Sequence, residues 1–150
     1  MQKVYEDNDG VIAAVCHGPA ALLGVKLSDG QLLLADKTVT SFSNDEELLL
    51  IGDAKERFGF LLQSALESQG SDFSQTAVYT ENIVLDGRLI TGQNPWSTWA
   101  VAEAMIETLG FTPVARERTL EEKSIDVVGV YYKQGYQGVM EYLEQPRDYS

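Results

Sequence analysis

Residues 11–15, Val-Ile-Ala-Ala-Val, form an apolar run without polar alternation, bounded by Asn8-Asp9-Gly10 before it and His17-Gly18-Pro19 after it. An unbroken run of this length between turn residues suits a strand covered on both faces, as in a parallel sheet with helices above and below. A chain of 150 residues can supply those helices and bury one real core, and is too short for two comfortable domains. The run ends on the only cysteine and the only histidine in the sequence, Cys16 and His17, side by side. Pro19 to Gly24 then reads as a short helix, with proline tolerated in its first turn and glycine closing it. The first unit is therefore strand, tight turn, helix.

The remaining segments alternate in the same manner. Gln31 to Phe42 supplies two short extended pieces around Ala35 to Lys37. Asp53 and Glu56 make an N-terminal capping pair for a helix that carries Ala54, Phe58, Leu61, Leu62 and Ala65 on one face and stops at Gly70. Asp86-Gly87 between two runs of strand formers predicts a hairpin. A further helix starts near Pro95, with Ala100, Val101, Ala104, Met105 and Leu109 as its stripe and Gly110 at its end. A long helix follows from about Leu120 to Leu143, with Ile125, Val128, Tyr132, Val139 and Leu143 at helical spacing; such stripes usually face a core. Its tyrosines, Tyr131, Tyr132, Tyr136 and Tyr142, are placed to pack on the body or on a second subunit.

Charge and cysteine usage exclude several functions. Eleven basic against 23 acidic side chains give a net charge of −12, which repels phosphate backbones and anionic lipid at long range. Nucleic acid and membrane partners are therefore not expected. No apolar run approaches the roughly 20 residues that span a bilayer, and the N-terminus lacks the pattern of a signal peptide, so the expected compartment is the cytoplasm. A single cysteine makes no internal disulfide, and Cys16-His17 lacks the second ligand pair of a zinc site; no metal is expected.

Two readings of Cys16 follow from local physics. A thiol where a strand turns into a helix lies at unpaired N–H groups and the positive end of the dipole, which favour a thiolate and lower its pKa. Gly18 lets the backbone bend sharply there. The other reading is a small core residue. For His17, adjacency to the cysteine settles nothing, because neighbouring side chains normally point to different sides.

Three segments, Ala13 to Leu23 (AAVCHGPAALL), Lys37 to Glu47 (KTVTSFSNDEE) and Asp86 to Thr98 (DGRLITGQNPWST), resemble in order and spacing three landmarks of the ThiJ/PfpI superfamily. The Cys-His-Gly-Pro form is similar to its branch of heat-shock chaperones and cofactor-independent glyoxalases. The resemblance runs from residue 1 to about 113. It implies an α/β fold, a three-layer sandwich with a mostly parallel, flavodoxin-like sheet, here incomplete at the N-terminus. Family members carry an opening strand, a carboxylate that hydrogen-bonds the cysteine and a glycine-rich loop ahead of this point. The expectation is one domain over 1–150, the C-terminal two-thirds of a member, with an extra helix at about 120–143.

The resemblance also implies roles. Cys16 is the nucleophile, His17 the triad histidine, and Glu47 the acid that orients it, with Glu46 the partner if the register slips by one. The His17 backbone N–H supplies half of an oxyanion hole, and Gly92 and Asn94 shape the pocket wall. The implied function is a glyoxalase III or deglycase-like conversion of methylglyoxal-type 2-oxoaldehydes to hydroxy acids, with no cofactor, weak or absent in the chain alone. The alternatives are a chaperone-like holdase and an intracellular cysteine peptidase or amidase. The implied partners are a small-molecule aldehyde and either further copies of the chain or another chain that completes the sheet.

Overall fold

The computed structural model describes residues 1–145 and divides the chain into two units, Met1–Val114 and the segment from Ala115 onward. In the first unit the order is α1 (Gln2–Glu6), β1 (Ile12–Val15), a 3-10 turn (Gly18–Leu22), β2 (Thr38–Val39), α2 (Asn44–Leu50), α3 (Ala54–Phe58), α4 (Leu62–Glu67), β3 (Asp72–Phe73), β4 (Ile83–Asp86), β5 (Leu89–Gly92), a 3-10 turn (Pro95–Ser97) and α5 (Thr98–Thr108). The main sheet has the order β1-β5-β4. β1 runs parallel to β5, with Ile12 opposite Leu89 and Val15 opposite Gly92. β4 runs antiparallel to β5 through a two-residue turn at Gly87 and Arg88, one residue on from the predicted Asp86-Gly87.

Alternation along these strands feeds two separate cores. Ile12 and Leu89 face a cluster with Leu22, Leu33, Leu34, Val39, Leu62 and Leu66. Ile90, one residue on from Leu89, faces Val101 and Ala104 of α5, with Val11, Ala13 and Ile83 against them. Helices thus cover both faces of the sheet, as a three-layer α/β arrangement requires. The short parallel pair β2–β3 is fastened to the hairpin by Asp86, whose carboxylate accepts the Thr38 N–H at 2.9 Å and the Lys37 ammonium at 2.7 Å. Thr40 N–H donates to Thr91 Oγ1 at 2.9 Å, which ties the next stretch to β5.

One expectation stands and two change. β1 is an edge strand among the described residues, in keeping with the incomplete sheet expected: β5 pairs one side, Ile12 is buried, and Ala13 to Val15 are partly buried. The helix predicted from Asp53 to Gly70 is two helices, because Gly59 at φ +77° takes the left-handed conformation that ends α3. Asp53 makes no side-chain cap and instead accepts the Arg57 Nε–H at 2.7 Å.

The second unit holds α6 (Leu120–Glu144), interrupted at Gly135 where φ is 66° and ψ −165°. Its N-terminus is a capping box of Thr119 and Glu122. Arg116 grips Glu122 with two bonds at 2.7 and 2.8 Å, and its guanidinium holds that carboxyl down to about 2. Of the predicted stripe, Ile125, Val128 and Val139 are half-buried while Tyr132 and Leu143 are exposed, as are Tyr131 and Tyr136 outside it. No helix among the described residues is long and apolar enough to cross a membrane.

Gly92 is where strand, turn and α5 press together. A Cβ there would meet Val101 Cγ2 at 2.7 Å and Ser97 Cβ and Val15 Cγ2 at 2.9 Å. Gly92→Ala is expected to destabilise the fold by about 1–3 kcal/mol through overpacking. Urea unfolding should show a lower midpoint at unchanged slope.

Candidate active site

The end of β1 brings the thiol into place by an unusual backbone. Cys16 has φ +61°, the left-handed region that non-glycine residues rarely enter and that costs about 1–3 kcal/mol. Two backbone bonds hold it: Cys16 N–H donates to Gly92 C=O at 2.8 Å, and Phe42 N–H donates to Cys16 C=O at 2.9 Å. This turn answers the adjacency problem. With Cys16 left-handed, the His17 side chain swings back and sets Nδ1 3.3 Å from Cys16 Sγ.

On the other side of the ring, His17 Nε2 lies 2.5 Å from Glu47 Oε2. Glu47 is buried, whereas the His17 side chain is 53% exposed, so the carboxylate is fixed and the imidazole is reachable. A carboxylate only accepts hydrogen bonds, which assigns the proton to Nε2 and leaves the Nδ1 lone pair facing the thiol. Phe42 supports the imidazole, the two ring centres 4.8 Å apart, and Tyr79 and Trp96 continue the aromatic row.

Glu47, and not Glu46, meets His17. Glu46 has no exposed surface and accepts four bonds: from Ser43 N–H and Oγ at 2.9 and 3.0 Å, from Tyr79 N–H at 2.9 Å and from Asn94 Nδ2 at 2.9 Å. The signal was in the sequence, since Ser43-Asn-Asp-Glu46 is a capping box and commits Glu46 to the helix start. Asn94 also donates to Thr80 C=O at 2.7 Å, so it braces Glu46. Gly92 supports the elbow by pairing with Val15 in the β1–β5 ladder and accepting the Cys16 N–H.

The electrostatics of Cys16 run against the helix-terminus argument. Burial pushes the thiol pKa up, and the charges of Glu46 and Glu47 push it further, against one hydrogen bond from the His17 backbone N–H that pulls it down. The helical turn behind it is a 3-10 segment of five residues, too short to build much of a dipole. The balance of these effects favours the protonated thiol. Among the described residues no group of three histidine, cysteine, aspartate or glutamate side chains forms a metal cluster.

No family model matches the sequence. A probable glutathione-independent glyoxalase of Schizosaccharomyces pombe is 36% identical over 110 residues, 71% of this chain and 49% of that protein. Glyoxalase 3 of Candida albicans is 34% identical over 115 residues, 71% of this chain and 48% of its own length. The crystal structure of glyoxalase III from the same yeast superposes with a TM-score of 0.65 at 32% identity, over 71% of this chain and 46% of that one. Over 71% of its length the chain is similar to the glutathione-independent glyoxalases, the glyoxalase III branch of the ThiJ/PfpI superfamily. A 24 kDa rapid encystment protein of Francisella tularensis is a further structural relative of this fold, with 37% identity and a TM-score of 0.65 over 69% of this chain and 45% of its own. The chain spans about half the length of the curated relatives it matches. Within the ThiJ/PfpI fold, Cys16 stands at the strand-to-turn elbow and Glu47 on the first turn of α2.

Alkylation of Cys16 should show a midpoint above the value of about 8.5 for a free thiol. Glu47→Gln removes one of the charges that raise it and should move the midpoint down. Iodoacetamide labelling against pH, read by intact mass, checks both directions.

Proposed function

We propose that the chain converts methylglyoxal-type 2-oxoaldehydes to 2-hydroxy acids with Cys16 as nucleophile, His17 as proton carrier and Glu47 as the group that orients His17. The observation that carries this reading is the row Sγ–Nδ1–Nε2–Oε2, at 3.3 and 2.5 Å, built on a left-handed cysteine. The names of its relatives, glutathione-independent glyoxalases, support the same chemistry.

Sulfur adds to the aldehyde carbon as the thiol proton passes to Nδ1 and on to the carbonyl oxygen, giving a hemithioacetal. The C1 proton leaves and returns at C2 through an enediol, so C1 is oxidised as C2 is reduced. The product of that step is a thioester, which water cleaves to free acid and thiol. The sum is one aldehyde and one water to one hydroxy acid, with the imidazole supplying acid and base in turn. The protein acts in the cytoplasm on this reading, where a lone cysteine stays reduced.

The sheet edge points to a further partner. β1 offers its outer edge, with an apolar channel of about 400 Å³ beside it lined by Val4, Val11, Ala13, Ala21 and Met105. An apolar strand with an open edge is a template for pairing. A strand from another chain, a second copy included, completes the sheet in this reading, and the enzyme is weak without it. The exposed row Leu48, Leu49 and Leu50 favours a second activity, holdase-like binding of unfolded chains.

Methylglyoxal consumption with lactate measurement is the test. Cys16→Ser should abolish turnover and leave any holdase activity intact. His17→Ala should lower the rate by about 100- to 10,000-fold, the usual range for an acid–base group, and Glu47→Gln by less. Near-wild-type rates in all three variants would remove the triad. Sedimentation should show association that rises with concentration together with specific activity; a monomer of constant activity would remove the partner.

A further inference from the structure

A cavity of about 500 Å³ opens beside the catalytic pair. His17 and Glu47 line it and Cys16 does not, so it begins on the Glu47 side of the imidazole. Its other walls are Ala20, Phe58, Phe60, Leu62 and Arg57. Gly59, left-handed between the two phenylalanines, ends α3 and leaves both rings about half exposed, at 53 and 46%. One exposed ring is ordinary, whereas two beside a catalytic carboxylate in one concavity make an apolar binding wall.

Size and reach decide what belongs there. A cavity of this volume is within the range of roughly 300–1,000 Å³ that holds drug-sized ligands. A methylglyoxal adduct on Cys16 has one methyl group to place, and Cys16 does not line the cavity whereas the neighbouring His17 does. Filling the cavity therefore takes a substituent longer than a methyl group. Arg57 is the one permanent cation in the lining. Asp53 takes its Nε–H at 2.7 Å, which orients the fork and leaves the two terminal nitrogens to a planar anion such as carboxylate.

We propose that the site takes 2-oxoaldehydes whose substituent is apolar beside the dicarbonyl and anionic at its far end, with the apolar part on Phe58 and Phe60 and the anion on Arg57. This rests on the glyoxalase reading above. Phe58, Phe60 and Arg57 then set specificity, while Cys16 and His17 do the chemistry.

The test uses the 2-hydroxy acid products as probes, so that binding is read even where turnover fails. Lactate, mandelate and 4-carboxymandelate are titrated into the full chain by calorimetry, with NMR shifts followed at His17, Phe58 and Phe60. Mandelate should bind about tenfold tighter than lactate, as expected for burying a ring. The second carboxylate should add about fivefold, the scale of an exposed ion pair. Arg57→Gln, a change at an exposed position, should bring 4-carboxymandelate down to the affinity of mandelate. Phe60→Leu should shrink the step from lactate to mandelate. Equal affinity for the three acids, shifts away from His17 and the two rings, or a carboxylate gain that survives Arg57→Gln would overturn the proposal. Methylglyoxal turnover alongside a flat series would sink the pocket alone; an intact series without turnover of any 2-oxoaldehyde would sink the glyoxalase reading and leave a hydroxy-acid site.

Discussion

The left-handed peptide at Cys16 is the constraint on which the rest depends. Its N–H closes the last rung of the β1–β5 ladder and its C=O receives Phe42 N–H, so three segments distant in sequence meet at one strained residue. Each bond is ordinary alone, worth about 0.5–1.5 kcal/mol net. Together they offset a backbone strain of similar size and fix the direction in which the chain leaves the strand. Gly92 permits the approach, since its missing side chain leaves room for Val15 and α5. Move any of these and the imidazole no longer lies beside the sulfur.

Two neighbouring carboxylates divide the remaining work. Consecutive residues on a helix point about 100° apart, so Glu46 turns inward to the cap and the Tyr79 turn while Glu47 turns to the imidazole. Four donors on Glu46 replace the water it loses on burial, which is what allows a carboxylate to sit with no exposed surface. They also join α2, the stretch before β4 and the Gln93-Asn94 turn into one frame, and Glu47 inherits its position from that frame. After burial, which is the larger cause, the charges of the same pair also push the thiol pKa up.

Local signals were legible where they sufficed. The hairpin, the helix before Gly110, the strand ahead of Cys16 and the long helix near 120–143 each carry their own turn, cap or periodicity, and each is present, with boundaries shifted by a residue or a few. The segment 53–70 misled because its apolar spacing continues through Gly59, and spacing alone does not report a backbone dihedral.

Cys16, His17 and Glu47 are named together only by the resemblance of three short motifs, in order and spacing, to the ThiJ/PfpI landmarks; the residues read alone leave Cys16 between two readings and His17 without a role. Which way the thiol titrates, and that Phe58, Phe60 and Arg57 share a cavity with His17, were decided only by tertiary structure. Those properties depend on burial and on distances between segments some 30 to 40 residues apart in sequence. The chain was enough to specify the groups. Only packing could set the field and the space around them.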